Sequence, residues 1–478
     1  MLLGLDLGTS SVKALFLSED GGILGEGSAS YPVRSPQTGW AEGSPDDWWN
    51  AAVEATRIAL GSHGAQVAAL GLSGQMHGVV LADERGHPLR PAVLWADARS
   101  GEQLAAYRKL DEDARRRLAN PPAVGMAGPS LLWLRDHEPE VYASARWALQ
   151  PKDWLRLRLT GEVAAEPSDA SATLLYDFRS DGWAYPVVED LGLRPDLLAP
   201  LVASAAIAGT LTREAAEDLG LRAGLPVAAG AADTAAAMLG GGLLQPGPVQ
   251  LTVGTGGQIV APRGRPEPDP HERTHLYRAA TPDLWYSMAA IQNAGLALEW
   301  VRKTLGVSWE EVYEEAFAVP PGAGGVLFLP YLSGERTPRF DPGPRGAWTG
   351  LALDHGRGHL LRAALEGVAF ALREGLEALE DAGTPIPELR LAGGGTAIES
   401  WRRLLADVLD RPLRPLPDAM ARVASARGAA LLAGVASGIY RTVGDTVAPD
   451  PDQVIRPGGT AYEAAYARYR DLYPRLRG

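Results

Sequence analysis

The stretch Gly4-Leu5-Asp6-Leu7-Gly8-Thr9-Ser10-Ser11-Val12-Lys13 decides the fold. Apolar runs lie on both sides of a Gly-Thr-Ser-Ser segment, a pattern that predicts two strands joined by a tight polar turn. Gly8 can adopt backbone angles that other residues avoid, so successive N–H groups of the turn can form a small anion-binding cup. Four side chains add donors to this cup: Thr9, Ser10, Ser11 and Lys13.

Asp6 lies on the strand directly before this cup. A phosphate held by backbone amides beside a carboxylate requires a positive charge between them, and Mg²⁺ prefers carboxylate, phosphate and water oxygens. The stretch is therefore interpreted as a hairpin that binds the phosphates of a Mg-nucleotide. From these residues alone, an ordinary hairpin in which Asp6 caps its own turn is an equal alternative.

Length and composition limit the classes of function. A chain of 478 residues is longer than a domain with a single hydrophobic core usually is, so two or three domains are expected. The net charge of −13 argues against nucleic acid and anionic membranes as main partners. The absence of cysteine excludes disulfides, thiolate metal sites and a cysteine nucleophile. No apolar run is long enough to span a membrane and no basic segment precedes the first strand, so a cytoplasmic protein is expected.

A strand predicted over residues 67–72 ends in the loop Ser73-Gly74-Gln75-Met76-His77-Gly78. Open α/β sheets place ligands at strand ends of this kind, and the three central side chains can make specific contacts. For His77, a solvated loop histidine is the alternative. A little further on, Asp97 and Arg99 are expected to form an exposed ion pair of small energetic value.

Asp233 lies at a predicted strand-to-helix junction, after a strand of small residues and the pair Ala231-Ala232. Small neighbours allow a substrate to approach closely, and an apolar setting favours a more basic carboxylate. This pattern makes Asp233 a candidate general base. An aspartate that only caps the following helix is the alternative.

A second hairpin repeats the form of the first: Gln250-Leu251-Thr252-Val253, then Gly254-Thr255-Gly256-Gly257, then Gln258-Ile259-Val260. Two such hairpins half a chain apart indicate a duplicated domain with a nucleotide in the cleft between the copies. A Gly/Pro-rich segment between them places the boundary so that the domains are residues 1–243 and 244–478. A predicted strand over 389–392 then runs into Gly393-Gly394-Gly395-Thr396, which suits close approach to a nucleotide, a generic glycine turn being the alternative.

Several segments together resemble the FGGY carbohydrate kinases, in order and spacing over essentially the whole chain. They are Asp6-Leu7-Gly8-Thr9-Ser10, Trp40-Ala41-Glu42 with Trp48-Trp49, Trp95-Ala96-Asp97-Ala98-Arg99, Pro330-Tyr331-Leu332-Ser333-Gly334-Glu335-Arg336-Thr337-Pro338 and Gly393-Gly394-Gly395. The loop Ser73-Gly74-Gln75-Met76-His77-Gly78 resembles the xylulokinase branch of that family and not the glycerol kinase branch.

The resemblance implies an α/β fold of two actin-like (ribonuclease H-like) ATPase domains that flank a deep catalytic cleft, with Mg-ATP on one side and a sugar on the other. It implies phosphoryl transfer from ATP to O5 of D-xylulose. The implied partners are a small sugar and Mg-ATP, with no nucleic acid and no membrane, and a homodimer stays open. A kinase for another ketose or polyol, such as ribulose or glycerol, and an ATP-gated actin-like binding module are the alternatives.

Position by position, the resemblance makes Asp233 the catalytic base and Asp6 the acid that positions metal and phosphate. The implied sugar contacts are Gln75, Met76, His77, Asp233 and Thr234. The implied nucleotide contacts are Thr9, Ser10, Ser11, Lys13, Thr255, Gly256, Gly295, Gly394, Gly395 and Glu399.

Three positions depart from the family pattern. Thr234 stands where xylulokinases often have Asn, which puts one sugar hydrogen bond in doubt. The second hairpin has Gly-Thr-Gly where Gly-Thr-Ser is usual. Glu399 stands near the expected adenine, where Asn is frequent.

Overall fold

The computed structural model describes residues 1–341, 343, 345–446, 452–459 and 461–477 of the chain. The strands are β1 (Leu2–Leu7), β2 (Ser11–Leu17), β3 (Ile23–Ser30), β4 (Glu42–Gly43), β5 (Ala69–Gly74), β6 (Val80–Ala82), β7 (Ala92–Val93), β8 (Trp147–Leu149), β9 (Tyr176–Asp177), β10 (Gly182–Trp183), β11 (Ile207–Thr210), β12 (Pro226–Ala228), β13 (Ala231–Ala232), β14 (Val249–Val253), β15 (Gly257–Arg263), β16 (His275–Arg278), β17 (Trp285–Ile291), β18 (Leu327–Leu329), β19 (Ala347–Thr349), β20 (Leu389–Ala392) and β21 (Leu413–Pro415).

The helices are α1 (Pro45–Leu60), α2 (Leu104–Arg108), α3 (Glu112–Leu118), α4 (Ala127–His137), α5 (Pro139–Ser144), α6 (Pro151–Thr160), α7 (Pro167–Ala170), α8 (Tyr185–Asp190), α9 (Arg213–Leu219), α10 (Asp233–Gly240), α11 (Gly295–Leu305), α12 (Trp309–Ala318), α13 (Arg357–Asp381), α14 (Glu399–Leu409), α15 (Asp418–Ala436), α16 (Glu463–Arg470) and α17 (Leu472–Arg477).

Two sheets share one strand plan. In the first sheet the order is β11-β12-β5-β1-β2-β3, and β1 pairs antiparallel with β2 and parallel with β5. In the second the order is β16-β17-β15-β14-β20-β21, and β14 pairs antiparallel with β15 and parallel with β20. Each predicted hairpin is therefore the centre of its sheet. This repeat confirms the predicted α/β fold of two actin-like domains.

The central strand β1 is buried along its whole length, as expected for a strand covered on both faces. Helix α1 lies against strands β2 and β3, and its N-terminus is capped by Ser44, whose side chain accepts a hydrogen bond from the Asp47 N–H. Helix α15, from the second half of the chain, contacts β1, β2 and β5. A Cβ at Gly4 would lie 1.9 Å from the Ala426 carbonyl oxygen, so the helix backbone rests directly on the strand.

Two helices connect the two halves at the cleft. Helix α10 follows the last strand of the first sheet, and its most extensive contacts are with α15. A Cβ at Gly240 would lie 1.9 Å from the Ala424 carbonyl, and one at Gly428 would lie 1.9 Å from the Ala236 carbonyl. Small residues on both helices thus allow a close crossing beside the candidate base.

Within the described part of the chain, no helix combines the length and the apolar character needed to cross a membrane. The C-terminal segment contains two helices, α16 and α17.

Candidate active site

A cavity of about 240 Å³ lies where the two sheets meet, and its walls come from both halves of the chain. Four of the predicted site residues line it: Asp6, Lys13, Asp233 and Thr234. Three residues of the second sheet, Thr252, Gln258 and Arg390, line it as well. The carboxyl ends of strands β1 and β13 therefore converge on one space, as open α/β sheets arrange their ligand sites.

Asp233 is the first residue of α10, and the small residues around it are fully buried. Burial and the neighbouring charge of Asp6 raise the pKa of Asp233 to about 7. One carboxylate oxygen, Oδ1, accepts hydrogen bonds from the Thr234 backbone N–H at 2.6 Å and from the Thr234 hydroxyl at 3.2 Å. No described donor contacts Oδ2, so that oxygen is available to a ligand. A carboxylate with a pKa near neutrality suits a general base.

Asp6 lies opposite Lys13 in the β1–β2 ladder, and its Oδ1 accepts a hydrogen bond from the Ser73 hydroxyl at 3.1 Å. Burial raises the pKa of Asp6, against the charge of Lys13 and the hydrogen bond from Ser73, which lower it. Among the described residues, no group of three or more His, Cys, Asp or Glu could hold a metal ion without help. Mg²⁺ commonly binds through one or two carboxylates, waters and substrate phosphates, so Asp6 fits a Mg-nucleotide better than a metal held by protein alone.

The first hairpin turn is fixed from several sides. The Gly8 N–H donates to the Ser11 carbonyl at 3.0 Å, and the Tyr31 hydroxyl donates to the Gly8 carbonyl. The Gln75 amide also donates to the Gly8 carbonyl, at 3.2 Å. Gln75, predicted as a sugar contact, is therefore placed where it braces the hairpin. Ser10, by contrast, is exposed at the tip of the turn.

Lys13 and Thr9 connect the hairpin to other elements. The Lys13 ammonium donates to the Arg422 carbonyl of α15 at 3.0 Å, so it is fixed beside the cavity by the second half of the chain. The Thr9 hydroxyl accepts a hydrogen bond from the Trp95 indole N–H at 2.9 Å. Both hydrogen bonds restrain the hairpin.

The predicted sugar loop is buried. His77 has a φ of 70°, in the left-handed region that few non-glycine residues adopt. Its Nδ1–H donates to the Ala172 carbonyl at 2.7 Å, which leaves Nε2 as the acceptor. Burial and the charge of Arg336 lower the pKa of His77 to about 4, so the ring is neutral at pH 7. Met76 packs in the same apolar cluster as Ala231 and Ala232, directly before the candidate base.

The second hairpin is tied to the start of helix α11. The Gly254 carbonyl accepts from the Gly295 N–H at 3.0 Å, and the Thr255 carbonyl accepts from the Leu296 N–H at 2.9 Å. A Cβ at Gly295 would lie 2.4 Å from the Gly254 carbonyl oxygen, and one at Gly256 would lie 2.8 Å from the Ile291 carbonyl oxygen. Glycine is therefore required at both positions by the close approach of backbone.

The glycine run after β20 lies against the second hairpin. Gly393 has a φ of 102°, lines the cavity, and would place a Cβ 2.2 Å from the Val253 carbonyl oxygen. Gly394 and Gly395 follow directly and are exposed. Glu399, at the start of α14, is exposed, and its carboxylate forms an ion pair with Arg403 at 2.8 Å. The structure thus brings Gly393 to the cavity and leaves Glu399 engaged on its own helix.

The expectation of an exposed pair at Asp97 and Arg99 is wrong. Both side chains are only 1% exposed; their ion pair measures 2.8 Å, and Arg99 also lies 2.8 Å from Glu42. The Arg99 guanidinium stacks over the Trp40 ring at 3.6 Å. The two family segments that contain these residues pack together, which the spacing of the sequence could not show.

One buried charge cluster was missed by the sequence reasoning. The Lys152 ammonium lies 2.7 Å from Asp153, 3.2 Å from Glu166 and 3.1 Å from Asp169, all at most 1% exposed. The Ser168 hydroxyl donates to Glu166 and accepts from the backbone N–H just before the candidate base. The only available signal was a lysine at the start of an apolar helix, because its partners on α7 are distant in sequence.

Comparisons with known proteins agree with this arrangement. Residues 1–240 match the N-terminal domain of the FGGY family of carbohydrate kinases, and residues 249–437 match its C-terminal domain. Xylulose kinase of Escherichia coli (strain K12) is 35% identical over 100% of this chain and 98% of its own. The crystal structure of xylulose kinase from Rhodospirillum rubrum has a TM-score of 0.90 and 31% identity, covering 100% of this chain and 99% of that one. Gluconokinase of Bacillus subtilis (strain 168) is 30% identical over 86% of this chain and 83% of its own.

Proposed function

This chain belongs to the FGGY family of carbohydrate kinases, and from that membership we propose that it transfers the γ-phosphoryl group of ATP to O5 of D-xylulose. The product is D-xylulose 5-phosphate, as D-xylose catabolism requires. The observation that carries the proposal is the common cavity of Asp6 and Asp233 between the two sheets. The xylulose kinases among the relatives support the choice of sugar.

In the proposed reaction, Oδ2 of Asp233 accepts the proton of the sugar hydroxyl as that oxygen attacks the γ-phosphorus. The new O–P bond forms while the bond from phosphorus to the leaving oxygen of ADP breaks. The carboxylate must be ionised for this role, so activity falls as pH decreases below the Asp233 pKa of about 7. Catalysis in phosphoryl transfer is largely positioning and electrostatic stabilisation, which a pre-formed cavity supplies.

We propose that the two hairpin turns bind the ATP phosphates and that Gly295, Gly394 and Gly395 lie against the nucleotide. Mg²⁺ bound with ATP would be held through Asp6 and would neutralise charge on the phosphoryl oxygens. Lys13, fixed by the Arg422 carbonyl, adds a positive charge on the same wall. Domains of residues 1–243 and 244–478 then place the sugar loop in the first and most nucleotide contacts in the second.

One observation favours a second candidate, a kinase for another ketose or polyol. The Thr234 hydroxyl donates to the Asp233 carboxylate. It therefore does not supply the hydrogen bond to the sugar that an asparagine often makes at this position in xylulokinases. A pocket with one contact fewer could prefer a different substrate, because specificity depends on such individual polar contacts.

Sugar-dependent ADP release tests the proposal. We would measure it with Mg-ATP over D-xylulose, D-ribulose, L-ribulose, L-xylulose, D-fructose, glycerol and D-gluconate. A strong preference for D-xylulose is expected. A preference for another compound would keep the kinase and replace the substrate. ADP release that no sugar changes would refute the kinase assignment and favour an ATP-gated binding module.

A further inference from the structure

Arg336 stands out because the loop that carries it is fixed, while its guanidinium contacts an aromatic ring and not a carboxylate. The loop comprises residues 333–338, after strand β18. Among the described residues, no carboxylate forms an ion pair with the Arg336 guanidinium and no acceptor takes a hydrogen bond from it. The Arg336 side chain is half-buried and lies beside Trp95 of the first half of the chain. A half-buried guanidinium that donates to no protein acceptor can donate to a ligand, because its N–H groups remain available.

The backbone of this loop is held by side chains and strands around it. The Glu335 carboxylate accepts from the backbone N–H groups of Gln292 at 2.6 Å and of Arg336 at 2.8 Å. The Thr337 N–H donates to the Ala290 carbonyl at 3.0 Å, and the Thr337 hydroxyl accepts from the Ala290 N–H at 3.1 Å. Such support gives the guanidinium a defined starting point, as binding residues on rigid scaffolds require.

Across the cleft, Arg336 faces the first half of the chain. Its guanidinium carbon lies 5.5 Å from the centre of the Trp95 ring. Trp95 is 36% exposed, and its indole N–H is fixed by Thr9 of the first hairpin. A guanidinium over an aromatic face keeps its edge N–H groups free to donate to a third group.

The charge of Arg336 acts on the sugar side of the cleft. It contributes to the lowered pKa of His77 and of His275, and it opposes the raised pKa of Tyr277. The His77 and Tyr277 rings lie 6.0 Å apart, and the His275 and Tyr277 rings are stacked at 5.5 Å. Arg336 is thus grouped with the predicted sugar contact His77 and with strand β16 of the second sheet.

We propose that Arg336 completes the sugar site from the second half of the chain, donating hydrogen bonds to sugar oxygens on the side that faces His77 and Trp95. The inference rests on the proposed function. It makes Arg336 a specificity-determining residue and requires both halves of the chain for sugar binding. A guanidinium favours oxygen-rich ligands with adjacent acceptors, because its planar fork can donate two parallel hydrogen bonds.

Arg336→Met is the test, with Arg336→Lys as the conservative variant. Loss of a hydrogen bond from a charged group is expected to raise the KM for D-xylulose and its Kd by about 10- to 100-fold. The KM for ATP should stay within about twofold of the wild-type value. Arg336→Lys should recover part of the affinity, because it keeps the charge and loses the fork. If Arg336→Met is unstable, the affinity recovered by Arg336→Lys distinguishes a loss of sugar binding from misfolding.

Arg302→Met is the matched control. Arg302 also lies over a tryptophan, with 5.7 Å between its guanidinium and the Trp309 ring, but it pairs with Glu299 on helix α11. Its removal should leave both KM values unchanged.

Unchanged D-xylulose affinity in a folded Arg336→Met protein would overturn the inference. So would a raised KM for ATP alone, which would assign Arg336 to the phosphoryl side. If the proposed function is wrong, the wild-type enzyme itself will prefer another compound of the panel to D-xylulose. The same variants would then be measured with that compound.

Discussion

Asp233→Asn should stabilise the protein at alkaline pH while it abolishes turnover. The pKa of this carboxyl is about 7 in the folded protein, against an ordinary value of 3.8. The folded state therefore holds the proton more tightly than the unfolded state does. Between about pH 4 and pH 7 the unfolded chain is ionised and the folded carboxyl is not, so stability is progressively lost as pH rises through this window.

The magnitude follows from the two pKa values. Each pH unit between them is worth about 1.4 kcal/mol, which gives an upper limit of about 4 kcal/mol above pH 7. Asp233 is only partly buried, so water in the cleft screens its charge, and we expect about half of that limit, about 2 kcal/mol. Asparagine is neutral, and its side-chain oxygen can still accept the hydrogen bonds from Thr234.

Urea denaturation of the wild-type protein and of Asp233→Asn across pH 5 to 9 measures the difference between their free energies of unfolding. Asp233→Asn should increase the free energy of unfolding by about 2 kcal/mol at pH 8.5 and by less than half of that at pH 5. Sugar-dependent ADP release should fall to background at every pH. A gain that does not change with pH would refute the desolvation argument. A folded Asp233→Asn enzyme with substantial turnover would refute the role of Asp233 as base.

Three further substitutions test other parts of the site. Lys152→Met leaves Glu166 and Asp169 without their cation, while Asp153 keeps its ion pair with Arg156. The change should cost about 3–5 kcal/mol in urea denaturation, and a loss below about 1 kcal/mol would contradict the buried cluster. Gly394→Ala adds a methyl group that has no protein atom within 4 Å, so the free energy of unfolding should not change. The KM for ATP should rise several-fold. An unchanged KM would show that Gly394 is not part of the nucleotide site. Thr234→Val removes one hydrogen bond to Asp233 and should lower kcat about tenfold with little change in the KM for the sugar. Thr234→Ser, which keeps the hydroxyl, should restore kcat. A raised KM for the sugar alone would instead assign the hydroxyl to sugar binding.

Much of the fold could be predicted because its signals are local. The first hairpin joins β1 and β2, and the second joins β14 and β15, each as an apolar run, a glycine turn and another apolar run. The start of helix α1 is also marked locally, because Ser44 caps its first turn and Pro45 is its first residue. Repetition of the hairpin indicated the duplicated domain, since the same local pattern twice implies the same strand plan twice.

The candidate site was predictable only in part. Asp6 was identified because it lies near the end of an apolar strand, and Asp233 because it follows a strand of small residues. The structure places both on one cavity. The orientation of individual side chains could not be predicted in this way. Gln75 donates to the Gly8 carbonyl, which only folding brings near. The Thr234 hydroxyl donates to Asp233, its neighbour in the sequence.

The sequence by itself determined the two sheets, their central hairpins and the family to which the chain belongs, because strand alternation, glycine turns and motif order are properties of adjacent residues. Tertiary structure decided which charges are buried together. The Asp97–Arg99 pair, expected at the surface, is covered because Trp40 and Glu42 come from a distant loop. It also placed helix α15 of the second half on the first sheet, where Gly4 and Gly71 of the strands leave room for the helix backbone. Burial and neighbouring charge set the pKa of a site residue, and both arise from contacts between segments far apart in the chain.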